Sequence, residues 1–320
     1  MVNEVHISLH VPRRPTWVAL GWVAVLSLAQ LADAQVLYWD RNGATAGAGG
    51  GTAPSGAWTN TSRNWSTSAA GTVSTVKWSA NRDAVFSAGT NATGSYTITI
   101  SGTQRVSSVT VQEGSVTFTG GTLRFKDATP DLTVNSGTTL NWGSTTITSD
   151  TDELNIGGAG TLNFTSDLTF AGTVNLSGVT LRLTDVDVEF DGLTVTGDTI
   201  IDFAGTASTL TVGEFNILSG ATLWMTNWAT GSDALVALSW PGAVYDTGGL
   251  PPMDQVVIND GSALSGWVSF DNQIGVVPEP STYGAALVGL LFAVAGLRRW
   301  RTPTTRANAP APTAGRGNRN

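Results

Sequence analysis

From Val109 to Met225 the chain repeats one short unit, in which two apolar side chains flank a central, mostly polar one. Val109-Thr110-Val111, Val116-Thr117-Phe118, Leu123-Arg124-Phe125 and Leu132-Thr133-Val134 open the series. Leu154-Asn155-Ile156, Leu162-Asn163-Phe164, Leu168-Thr169-Phe170 and Val174-Asn175-Leu176 continue it, and Leu223-Trp224-Met225 closes it. Most units start six to nine residues apart. A period near seven also suits a coiled coil, but Thr, Val, Gly and Asn dominate here and helix formers do not. Alternation within each unit is the pattern of a half-buried strand. Short strands at a fixed short period build a solenoid, with three strands of about seven residues making a rung of roughly 21.

The fold expected is therefore all-β, a right-handed parallel β-helix (β-solenoid) over 106–225. Leu154, Leu162, Leu168, Val174 and Leu181 should point inward and the Thr, Asn and Asp positions outward. The Trp-containing flanks 35–105 and 226–275 are expected to form irregular β caps. An antiparallel meander or sandwich is the alternative, because Gly-rich turns also suit hairpins.

Composition excludes several chemistries. The chain has no cysteine, so thiolate metal sites, disulfides and Cys nucleophiles are out. Its two histidines are His6 and His10, both ahead of a signal-cleavage site, so the mature chain lacks a His base or ligand. Residues 35–277 hold 8 Lys and Arg against 21 Asp and Glu, a net charge of −13. Phosphate contacts need cations, so nucleic acid is not an expected partner.

The two ends of the chain carry apolar segments. Arg13 and Arg14, the apolar run Trp17–Ala29 and the Ala32-Asp33-Ala34 site form a signal peptide over 1–34, with Gln35 as the first mature residue. The translocon and signal peptidase are the partners this implies. Near the other end, Gly284–Leu297 is a short apolar run followed by Arg298, Arg299 and Arg301. It reads as a short transmembrane helix whose cations stay cytoplasmic and leave the acidic body outside. Val277-Pro278-Glu279-Pro280-Ser281 precedes it, and the prolines hold that linker extended.

Pro278-Glu279-Pro280, the apolar helix and the Arg cluster, spanning 276–301, together resemble the PEP-CTERM sorting signal of exported bacterial proteins. That resemblance implies recognition of the three motif residues by a membrane-embedded exosortase, removal of the helix, and an exopolysaccharide-making cell. The tail 302–320 exceeds the usual family pattern and is expected to be disordered. Tyr38-Trp39-Asp40, Asn64-Trp65-Ser66 and Gly114-Ser115-Val116-Thr117-Phe118 resemble proteins with autotransporter-associated β-strand repeats, over about 38–125.

Three constellations carry candidate chemistry. Asp185, Asp187, Glu189 and Asp191 alternate with Val186, Val188 and Phe190, so a strand would put the four acids on one face. Ca²⁺ would relieve their repulsion, and it is the cofactor such a row would take; no other is expected. A solvated edge that blocks sheet-to-sheet pairing accounts for the same row. The tryptophans are expected mainly to pack in the core and caps; Trp58 and Trp65, set among Thr, Asn and Ser, are the ones best placed to be exposed instead and to stack on sugar rings. A β-helix polysaccharide lyase needs a cationic base, and beyond Lys126 the solenoid offers only Arg182. The chain thus reads as an exported, non-enzymatic surface or extracellular-matrix protein associated with exopolysaccharide. A carbohydrate-binding adhesin is the alternative, and a secreted lyase the second.

Overall fold

The computed structural model describes residues 35–229 and 232–239, with the strands Val256–Asn259, Trp267–Phe270 and Gln273–Val276. The signal segment with Ala32 and Ala34, the Pro278-Glu279-Pro280 motif, the apolar run, the Arg cluster and the 302–320 tail lie outside the described residues. Those that are described form strands and turns, with no helix among them.

The strands stack into a β-solenoid with three faces. The first face is a sheet of parallel strands in the order Gly56–Trp58, Ser95–Ile100, Ser115–Thr119, Thr139–Trp142, Thr161–Phe164, Thr180–Thr184, Thr199–Ala204, Leu223–Thr226 and Val256–Asn259. Each rung then crosses the second face and returns along the third. In the rung after Thr161–Phe164, one strand, Leu168–Ser177, supplies both, and its register slips between Phe170 and Thr173 as it turns the corner. Gly172 sits in that corner, where a Cβ would run into the Asp152 carbonyl. Asp187–Val195 and Thr209–Ile217 span the two faces in the same way.

Register turns the repeating unit into continuous columns. Leu140, Leu162, Leu181 and Ile201 stack in one column of the first face, and each is fully buried. Val109 and Leu132 pair in one column of the third face, and Leu154, Val174, Leu193 and Phe215 in another. Apolar pairs that repeat at about 4.8 Å make a dry core whose every layer is covered by the next. Leu154, Leu162, Leu168, Val174 and Leu181 all point inward, as the alternation requires.

The parallel stack runs beyond 106–225 on both sides. Val36–Trp39 and Arg82–Phe86 pair in parallel before it, and Ala234–Ser239 and Val256–Asn259 continue the two sheets after it. At the N-terminal end Trp65–Ser66 pairs antiparallel with Tyr38-Trp39. At the other end Gln273–Val276 pairs antiparallel with Ala234–Ser239 and with Trp267–Phe270.

Candidate functional site

The outward positions of the third face form a polar ladder. Asp131, Asn155 and Asn175 occupy successive rungs. Asn155 Nδ2 donates to Asp131 Oδ1 at 3.0 Å, and Asn175 Nδ2 donates to Asn155 Oδ1 at 3.0 Å. A primary amide carries two N–H donors and two acceptor lone pairs, so each Asn keeps one donor beyond the ladder. Together with Thr133, Ser177, Thr194 and Thr196 they line a shallow groove of about 540 Å³ that runs along the stack. A second ladder lies on the first face, where Asn141 Nδ2 donates to Ser115 Oγ and Asn163 Nδ2 to Asn141 Oδ1, both at 3.0 Å.

The second face carries the acids. Asp187, Glu189 and Asp191 are exposed on the strand Asp187–Val195, with Val188 and Phe190 buried behind them. Asp185 does not join them, which corrects the expectation of four acids on one strand face. It lies in the preceding turn at φ 51° and caps the next rung. Its Oδ1 accepts from the Thr206 amide at 2.6 Å, the Thr206 hydroxyl at 2.9 Å and the Ala207 amide at 3.3 Å. Those bonds hold its carboxyl below the usual range. Strand spacing keeps the other three apart, and among the described residues no group of three or more acids or histidines converges to hold a metal ion.

The same face bears cations nearer the N-terminus. Arg105 and Arg124 are direct cross-strand partners, and Lys126 follows at the corner. Asp150 takes both Arg124, at 2.6 Å, and Lys126. The Lys126 ammonium is pulled below its usual pKa, first by desolvation and then by the charges of Arg124 and Arg105.

Neither of the two tryptophans singled out by their neighbours lies where a sugar could reach it. Trp58 and Trp65 are both fully buried, which agrees with core and cap packing and overturns their alternative role as sugar-stacking platforms. They meet each other at 4.9 Å, with Trp78 and Phe86 within 5.6 Å of both, and Trp39 lies 5.3 Å from Trp65. This aromatic plug closes the N-terminal end of the core. Of the polar neighbours that suggested exposure, Thr59, Asn60, Thr61 and Asn64 lie in the loop outside it, while Ser66 is itself buried on the strand Trp65–Ser66. Arg182 is likewise engaged, since its Nε donates to Asp202 Oδ2 at 2.7 Å.

No family model matches the chain, and no solved structure matches it. The chain is similar to the adhesin BmaC autotransporter of Brucella suis biovar 1 (strain 1330), 28% identical over 286 residues. That alignment takes in 83% of this chain and 8% of the relative, so the chain corresponds to a small fraction of that protein's length.

Proposed function

We propose that this chain is a non-enzymatic, surface-displayed, adhesin-like protein whose solenoid holds a glycan along its third face. The observation that carries this reading is the groove over Asp131, Asn155 and Asn175. Its polar side chains repeat at the strand spacing of about 4.8 Å, an even row of donors and acceptors for a hydroxyl-rich polymer. The similarity to an autotransporter adhesin supports it, as does the ion pair that occupies Arg182. The route to the surface belongs to the same proposal: cleavage before Gln35, transient anchoring by the C-terminal helix, and release by an exosortase acting at Pro278, Glu279 and Pro280. Exopolysaccharide is the partner such a route supplies.

A polysaccharide pull-down with Asn155→Ala/Asn175→Ala tests the glycan reading. Retention should fall at least tenfold with little change in melting temperature, because both side chains lie on the outside of the rungs. Equal retention by parent and variant, or none by either, would overturn it. The intact mass of the extracellular form tests the route, and a species still carrying Arg298, Arg299 and Arg301 would replace release with permanent anchoring.

A further inference from the structure

Charge is segregated along the stack. Residues 35–126 hold seven Lys and Arg against three Asp and Glu, a net +4. Residues 127–239 hold Arg182 alone against fourteen acids, a net −13. The second face concentrates this contrast. Arg105, Arg124 and Lys126 stand on two adjacent rungs, and one acid, Asp150, serves two of them. Like charges directly opposite on neighbouring strands repel. Farther along, Asp167, Thr169, Asp187, Glu189 and Thr211 line a recess of about 390 Å³. Between the two patches the outward positions are Thr146 and Thr148, small and uncharged. One face thus carries a set of long cationic side chains and, about three rungs or ~14 Å away, an acidic groove.

We propose that the second face pairs with the second face of another copy of this chain, in antiparallel orientation. A two-fold axis lying in the plane of the interface, parallel to the strands and midway between the patches, brings Arg105, Arg124 and Lys126 of each copy over the acidic groove of the other. The interface is self-complementary, as a two-fold requires. The paired strip is about 13 Å wide and ~24 Å long, so each copy covers roughly 300 Å², well under the ~800 Å² of a stable interface. The pairing is therefore weak, screened by salt, and strong only where many copies are tethered on facing surfaces. It uses a different face from the glycan groove and stands or falls separately.

Charge reversal tests it in the full chain, kept in one mild detergent throughout. Sedimentation equilibrium at about 1 mM protein should give a mass approaching two chains at ~10 mM salt, and one chain at ~0.5 M. Arg105→Glu/Arg124→Glu should remain single under the low-salt condition, and so should Asp187→Lys/Glu189→Lys. An equimolar mixture of the two variants should pair again, because each then offers what the other lacks. Melting curves that match the parent keep loss of fold out of the reading. A parent that stays single at low salt, variants that pair alone, or a mixture that does not recover would each overturn the proposal. Retention of the single-chain parent on dextran sulfate, lost in Arg105→Glu/Arg124→Glu, would reassign the cations to an anionic polymer.

Discussion

Arg182 and Asp202 are register partners on consecutive rungs of the first face, joined by an Nε-to-Oδ2 hydrogen bond of 2.7 Å. The two ends of the pair differ in exposure: the Arg182 side chain is 43% exposed and that of Asp202 6%. Asp202 also accepts from Asn227 Nδ2 at 2.6 Å and Thr226 Oγ1 at 3.3 Å, on the next rung. It therefore ties three rungs together from a nearly dry position. Asp202→Ala should cost about 1–3 kcal/mol, because donors on three rungs lose their shared acceptor. Arg182→Gln should cost under ~1 kcal/mol, as its head is solvated. Urea titration of both single variants and the double variant gives the coupling.

The column Leu140, Leu162, Leu181 admits a direct test of the inside and outside phase. Leu162 is fully buried, so Leu162→Ala should cost about 2–5 kcal/mol, and Leu162→Asp more, since it buries an unpaired carboxylate. Thr161→Asp, next to it and half-exposed, should lie within about 1 kcal/mol of the parent. Thermal melts of the three variants check it.

Two glycines with the same backbone hand should respond differently to a methyl group. Gly137 has φ +77° and open space where a Cβ would go. Gly158 has φ +97°, and a Cβ there would fall on the Val134 carbonyl oxygen of the previous rung. Gly137→Ala should cost about 1–2 kcal/mol, the left-handed penalty alone. Gly158→Ala should cost roughly 1–3 kcal/mol beyond that, because the rungs must part. Paired denaturant titrations measure the difference.

Glu113 sets a pH dependence. Burial raises its pKa, against the Ala92 amide it accepts at 2.9 Å. A carboxyl raised in the folded state binds more protons there than in the unfolded chain. Its contribution therefore favours folding as pH falls toward the ordinary value near 4.5 and disfavours it as pH rises through the folded pKa. Glu113→Gln keeps an acceptor for Ala92 and removes the charge. The variant should lose this part of the slope just above pH 4.5, as read from melting temperature between about pH 4 and 7.

The solenoid was legible because its information is local. Leu-x-Phe and Val-x-Leu units set the inward phase without knowledge of any partner, and Leu162 and Val174 followed it. Core packing is the favoured reading of Trp58 and Trp65, but what covers them was not legible, because it depends on distant pairing. Trp65 is covered by Trp39, Trp58, Trp78 and Phe86, brought to it from elsewhere in the chain, and its neighbours Asn64 and Ser66 give no sign of this. Asp185 misled for a related reason. Perfect alternation with Asp187 and Glu189 looks like one strand, but the chain spends Asp185 on capping Thr206 and Ala207 of the following rung. The polar ladder could have been read, since Asn155 and Asn175 stand at the centre of units one rung apart. What was missing was which units share a face.

The antiparallel strands at the two ends of the longer sheet bear on size. A parallel stack has no intrinsic stopping point, since each rung presents to the next the edge it received from the last. Trp65–Ser66 reverses direction against Val36–Trp39, and Gln273–Val276 does so against Ala234–Ser239, so neither edge offers the parallel template that another rung would copy. Fibre growth through these edges is thereby discouraged, and the span of the solenoid works as a ruler whose graduations are written in the gene.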